Sequence, residues 1–282
     1  MRSAHGRPRF RPVCAVTPCE SLAVTWAGHS TALVELDGVR VLTDPVLRDR
    51  VGPLRRTGPP VSARSAERID AVLLSHLHLD HADLPSLRAL GASTVVLAPR
   101  GAARWLSRRG VRGVEELRAG EQAAIGNLRV VATPARHDGR RRPLGVQADP
   151  VGFIVHGTQA LYFAGDTDLF DEMSTFSGSV DLALLPIAGW GPKVGPGHLD
   201  PVRATRAAAS IAPRVVVPIH WGTLALGWPG RRAGDPAEPA RRFAALMARD
   251  VPAVEVRVLA AGERTCLSPR ARDLQCLPAL PA

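Results

Sequence analysis

His76-Leu77-His78-Leu79-Asp80-His81 places four side chains of metal-ligand type within six residues. The apolar run Ala71-Val72-Leu73-Leu74 comes shortly before it. Such a run ahead of a polar cluster reads as a buried strand that ends in a loop. A loop at a strand end can turn several side chains toward one point, which a regular strand or helix cannot do at this density. Imidazole nitrogens and a carboxylate oxygen suit zinc, and also manganese or iron. The alternative is a histidine-rich surface turn. Three histidines around one aspartate, behind a hydrophobic strand, argue against it.

Four other islands follow the same logic. Trp26-Ala27-Gly28-His29-Ser30 runs into Val39-Arg40-Val41-Leu42-Thr43-Asp44-Pro45. Further on come Thr133-Pro134-Ala135-Arg136-His137, Tyr162-Phe163-Ala164-Gly165-Asp166-Thr167-Asp168 and Pro218-Ile219-His220-Trp221-Gly222-Thr223. With these islands in this order, the chain resembles the metallo-β-lactamase superfamily over about residues 21 to 250. Trp-x-Gly-His, Leu-Thr-Asp-Pro, His198-Leu199-Asp200-Pro201 and Ile-His-Trp-Gly-Thr resemble one branch in particular. That branch contains N-acyl-phosphatidylethanolamine-hydrolysing phospholipase D and the L-ascorbate 6-phosphate lactonase-like proteins.

The resemblance implies a ligand set. His76, His78 and His137 would hold one metal; Asp80, His81 and His220 would hold a second, with Asp166 bridging. Two divalent ions are expected, zinc first, with manganese or iron as alternatives. Two such ions about 3.5 to 4 Å apart can share a hydroxide nucleophile, and Asp80 could both ligate and orient the water. His198 resembles a histidine of the phospholipase branch that could protonate a leaving group or contact phosphate. Asp44 reads either as the acceptor of a hydrogen bond from a ligand histidine or as a turn aspartate before proline. His29 reads either as facing the cleft, in a supporting role, or as a satisfied structural histidine. Arg140 and Arg141, just after His137, read as a rim that favours an anionic substrate or as a solvated loop.

Apolar strands must position these groups. Leu22–Trp26, Thr31–Leu36, Val39–Thr43, Ala71–Leu74 and Val95–Ala98 read as strands, with Asp37-Gly38 a hairpin turn. Leu84–Leu90 and Gly101–Arg109 read as short helices, and residues 48 to 65 as a loop near the site. In the second half, Leu128–Ala132, Val151–Val155, Ala160–Ala164, Asp181–Leu185, Val215–Pro218 and Val254–Leu259 read as strands. Pro201–Ile211, capped by Asp200, and Pro239–Arg249 read as helices. Periodicity supports an α+β chain with one large domain. The four-layer αββα sandwich, two mixed sheets with outer helices, is what the resemblance implies. The expected organisation is a flexible arm over 1–20, a hydrolase domain over 21–262 and a loosely ordered tail over 263–282.

Composition bounds the rest. Of 282 residues, 45% are hydrophobic, which is enough for a sizeable core. No apolar stretch approaches the roughly 18 residues that span a bilayer, and the arginine-rich N-terminus has no apolar segment behind it. A cytoplasmic protein with no transmembrane segment is expected. The net charge of +10 invites a nucleic-acid reading. Lys193 is the only lysine, however, and the arginines are scattered, which reads as coding bias and argues against stable nucleic-acid binding. Cys14, Cys19, Cys266 and Cys276 lie near the termini without metal or nucleophile spacing and read as free thiols.

The leading functional expectation is a dinuclear metal-dependent hydrolase acting on a phosphodiester or a phosphorylated small molecule. A lactonase or carboxylic-ester hydrolase with the same site is the alternative. A non-catalytic metal- or nucleic-acid-binding protein is a third, weakened by the complete ligand set. Asp138-Gly139-Arg140 after His137 departs from the lipase pattern, and no apolar docking segment for a membrane is evident.

Overall fold

The computed structural model describes residues 22–141, 145–191, 194–226 and 234–269. In chain order the first strands are β1 (Leu22–Gly28), β2 (Thr31–Leu36), β3 (Val39–Thr43), β4 (Arg50–Val51), β5 (Leu54–Arg56), β6 (Ala71–Leu73), β7 (Val95–Pro99) and β8 (Val114–Leu117). Then come β9 (Gln122–Ile125), β10 (Leu128–Pro134), β11 (Val151–His156), β12 (Ala160–Phe163), β13 (Leu182–Pro186), β14 (Val215–Ile219), β15 (Leu224–Leu226), β16 (Glu255–Val256) and β17 (Arg264–Leu267). The α-helices are α1 (Leu84–Ala89), α2 (Ala103–Ser107), α3 (Pro201–Ile211) and α4 (Glu238–Asp250).

Two seven-stranded sheets result, ordered β17-β1-β2-β3-β6-β7-β8 and β16-β14-β13-β12-β11-β10-β9. Each has antiparallel ladders on one side and parallel ladders on the other. The two halves thus share a pairing scheme that no sequence repeat announces. The main core lies between the sheets, where Val24, Trp26, Val34 and Leu73 meet Val130, Phe153, Phe163 and Val217. A second core joins the second sheet to α3 and α4 through Leu185, Ala204, Ala208, Phe243 and Met247. A third joins the first sheet to α1 and α2 through Val72, Leu87, Val96 and Leu106. These three cores separate four layers, the αββα sandwich.

Strand-rich elements fall where the alternation and apolar runs place them, within one or two residues. Four differences are informative. Residues 50–56, inside the stretch read as loop, form the β4–β5 hairpin, which joins β15 in a small third sheet. Two- and three-residue strands around Gly52-Pro53 are too short to show alternation. Arg264–Leu267, in the stretch read as a loose tail, pairs with β1, and Leu267 is buried. That partner lies at the other end of the described chain, so no local signal marks it. Val254–Leu259 contributes only the two residues of β16. Finally, β8 and β9 were not foreseen, because Glu115, Glu116 and Gln122 interrupt the apolar pattern. Cys14, Cys19, Cys276 and the expected arm over 1–20 lie outside the described residues.

Among the described residues, no helix is long and apolar enough to cross a membrane.

Candidate metal centre

The site forms where strands end. In β3, β6, β12, β13 and β14 the parallel register brings the carboxyl ends to one rim, the place where α/β sheets present ligands. Asp44 follows β3, His76 to His81 follow β6, Asp166 follows β12 and His220 follows β14. His137 follows β10, and its segment is tied to that of Asp166. Arg136 N–H donates to Thr167 Oγ1 at 2.9 Å, and Asp168 N–H donates to the Arg136 carbonyl at 2.9 Å.

The ligand loop turns tightly, with the N–H groups of His81 and Ala82 both donating to the His78 carbonyl. Three non-glycine residues of the site, His29, Asp44 and His220, have left-handed backbones with φ of 54°, 29° and 62°. They make up half of all such residues among those described. Backbone in this region is held only by strong surrounding contacts and concentrates at functional sites.

One cluster is purely nitrogen. His76 Nε2 and His137 Nε2 each lie 3.0 Å from His78 Nδ1. The other ring nitrogen of each is committed. His137 Nδ1 faces the Gly197 carbonyl at 2.8 Å and His78 Nε2 the Arg140 carbonyl at 3.1 Å. His76 Nδ1 faces Ser75 Oγ at 2.9 Å, and that hydroxyl spends its own proton on Asp44 Oδ2 at 2.5 Å. Each outer nitrogen is therefore an N–H donor, assigned from its acceptor. Burial and neighbouring histidines hold His76 well below the usual imidazole pKa. Burial lowers His137 to about 4, and burial and His81 lower His78. The three inner nitrogens then present lone pairs to one another, an arrangement that a metal ion between them would satisfy.

The second cluster mixes nitrogen and oxygen. Ligand atoms of His29, Asp80, His81 and His220 lie within 4.8 Å of one another. His220 Nδ1 donates to the Ala188 carbonyl at 2.8 Å, and His81 Nδ1 donates to Asp44 Oδ2 at 2.6 Å. Asp166 sits between the clusters. Its Oδ2 is 3.2 Å from His81 Nε2, 3.4 Å from His198 Nε2 and 4.0 Å from His76 Nε2, and its Oδ1 is 3.3 Å from His220 Nε2. Oδ1 is buried without a hydrogen bond among the described residues, an orphan that a metal would satisfy. These donors, N₃ on one side, N₂O on the other and a carboxylate between, are of the types that hold divalent metal.

Electrostatics follow from this packing. Burial alone would raise the carboxyl pKa values of Asp80 and Asp166. His81, His29 and His220 hold Asp80 well below the usual range, and His220, His81 and His198 do the same for Asp166. Burial opposes the charge on His198, but Asp166 raises its pKa.

Asp44 and His29, each open to two readings, are both buried against the candidate ligands. Asp44 accepts from His81 Nδ1, Ser75 N–H and Ser75 Oγ, so it contacts one candidate ligand histidine directly and a second, His76, through Ser75. His29 is buried, with Nε2 2.9 Å from Asp80 Oδ2 and its ring 3.9 Å from that of His220. Its carbonyl accepts from His220 N–H and Trp26 Nε1. Arg141 requires a correction. Its guanidinium donates to the Leu77 and Ala82 carbonyls and lies 4.6 Å over Trp105, underneath the ligand loop rather than at the rim. Arg140 enters through its backbone carbonyl, while its side chain is exposed. Ser75 and the Ala188 and Gly197 carbonyls carry no sequence signal, because their roles depend on which strands lie side by side.

Comparison with known proteins places the chain in a family. A model of the β-lactamase superfamily domain matches residues 39–221. The chain is 30% identical over 235 residues to N-acyl-phosphatidylethanolamine-hydrolyzing phospholipase D 1 of Caenorhabditis elegans, covering 73% of this chain and 65% of that one. It is 32% identical over 222 residues to a UPF0173 metal-dependent hydrolase of Methanopyrus kandleri, covering 72% and 85%. It superposes on Igni18, a metallo hydrolase from Ignicoccus hospitalis, with a TM-score of 0.65 at 27% identity, covering 88% and 99%. The chain spans just under two thirds of the phospholipase's length. The matched span begins on the strand that delivers Asp44 and runs through His220, so that every ligand candidate except His29 falls inside it. On that match, the chain belongs to the metallo-β-lactamase superfamily.

Proposed function

We propose that this chain is a dinuclear metal-dependent hydrolase acting on a phosphodiester or a phosphorylated small molecule. The observation that carries the reading is the convergence of three neutral inner nitrogens, from His76, His78 and His137, beside the N₂O set of Asp80, His81 and His220. When bound, two divalent ions supply a water-derived nucleophile at neutral pH and polarise the scissile group. The similarity to a phospholipase D supports the phosphodiester class. Zinc suits the nitrogen-rich set best, and manganese or iron also accept it.

The remaining roles fall to the chain's own groups. His29 Nε2–H fixes one oxygen of Asp80 and so sets the direction of the other. His198 Nε2, 3.4 Å from Asp166, holds a proton in the cleft and can pass it to a leaving oxygen. Asp44 and Ser75 fix the tautomers of His81 and His76.

A second reading, a lactone or carboxylic ester as substrate, is favoured by one feature: among the described residues, no arginine or lysine lines the cleft. The test is turnover of a chromogenic phosphodiester by protein loaded separately with zinc and with manganese, with His76→Ala as the blank. Turnover that vanishes in the variant supports the first reading. Turnover of lactones or esters alone, again lost in His76→Ala, supports the second. No turnover of either class would sink both.

A further inference from the structure

The cleft has two unlike walls. One is the site itself, with His78, Asp80, Asp166 and His198. The other is apolar: Val51, Pro53 and Leu54 of the β4–β5 hairpin, with Leu79 and Trp190. Only three large hydrophobic side chains are exposed among the described residues, and two of them are Leu79 at 41% and Trp190 at 42%. Their meeting in one cleft marks a surface built to be covered by something apolar.

The wall is fixed. A side chain at Gly52 would touch Leu79, so the hairpin tip leans on the ligand loop. Arg56, at the hairpin's end, buries its guanidinium and donates to the Ala27 and Val46 carbonyls at 3.2 and 2.7 Å. Thr57 binds the Thr223 and Gly222 carbonyls, and β5 pairs with β15. The hairpin is therefore tied to the segments that carry His29 and His220. Charge points the same way. Among the described residues, no arginine or lysine lines the cleft, and the head group of Arg141 is held beneath the loop.

We infer that the substrate carries a compact, uncharged apolar group next to its scissile bond, and that Leu79, Trp190 and the β4–β5 hairpin form the subsite for it. This rests on the hydrolase reading above. The cleft measures about 270 Å³. Since a dry cavity of about 150 Å³ takes a benzene ring, the apolar half suits one ring or a short branched chain rather than a long acyl tail.

The test is calorimetric binding of methyl-, phenyl- and decylphosphonate to the zinc-loaded full chain, in wild type, Trp190→Ala and Leu79→Ser. Burying one ring predicts that phenylphosphonate binds about 30-fold tighter than methylphosphonate. That ratio should fall below about 5-fold in either variant, and decylphosphonate should gain nothing over phenylphosphonate. A phenyl-to-methyl ratio near one, with methylphosphonate still bound, would overturn the subsite while leaving the hydrolase reading intact. A decyl chain that binds much tighter than phenyl would overturn the compact group. Failure of all three phosphonates to bind would overturn the phosphoryl reading itself, and the subsite with it.

Discussion

His81 Nδ1 lies 2.6 Å from Asp44 Oδ2, and neither side chain has any exposed surface. The same carboxylate accepts from Ser75 N–H at 2.7 Å and from Ser75 Oγ at 2.5 Å. One buried aspartate thus orients a candidate ligand in each cluster: His81 directly, and His76 through the serine hydroxyl. Asp44→Asn keeps the shape but turns an NH₂ toward at least one of three donors. We expect both zinc sites to weaken by about 10- to 100-fold, measured by chelator competition. Wild-type affinity in the variant would remove Asp44 from the account.

His29 donates to Asp80 and packs its ring on His220. Its pKa is held down to about 3 by burial and His220, so it is a neutral donor at working pH. His29→Phe keeps the packing and deletes the bond. A buried bond to a charged acceptor is worth about 1.5 to 3 kcal/mol. The second site should therefore lose roughly 10- to 150-fold in zinc affinity, with the first site unchanged. Equal losses at both sites would indicate a general packing defect instead.

Much of this site was legible before the structure, and the reason is physical. His76, His78, Asp80, His81, Asp166 and His220 all follow apolar strands, and ligand chemistry constrains residue type as well as spacing. The sandwich followed from the resemblance; periodicity supported only mixed α and β. What stayed hidden depends on lateral neighbours. Ser75 matters because β6 lies beside β3, so that it reaches Asp44. Arg141 has the right charge in the right segment, but its direction is set by the Leu77 and Ala82 carbonyls and by Trp105. The apolar wall comes from a hairpin too short to carry a pattern.

Metal uptake should release a proton. Burial disfavours charge on His81, but Asp166, Asp80 and Asp44 raise its pKa well above the usual imidazole value. Stability from that proton is full below the unfolded value near 6.5 and is lost as pH rises through the folded one. A zinc ion at Nε2 must displace it, whereas lowered His76, His78 and His137 have no proton to give. Zinc binding at pH 7 should then release at least one proton, one from His81 and more where a metal-bound water ionises, and affinity should rise with pH up to the folded pKa. Calorimetry in two buffers of different ionisation enthalpy reads the count. Zero release would contradict the assignment.

Gly165, just before Asp166, has φ of +61°, and a methyl group there would collide with the Ser75 side chain. Left-handed backbone costs an alanine about 1 to 2 kcal/mol, and overpacking adds about 1 to 3. Gly165→Ala should lower the melting temperature by roughly 5 to 15 °C and separate Asp166 from the ligand loop. An unchanged melting temperature with full zinc content would show that the contact gives way freely.

The central claim is that two distinct metal sites share Asp166. The most direct measurement is zinc stoichiometry of the metal-stripped full chain by equilibrium dialysis, in wild type, His137→Ala and His220→Ala. The account predicts two tight equivalents in wild type and one in each variant, with the two single sites differing in proton release. One equivalent in wild type, or a loss of both in either variant, would contradict it.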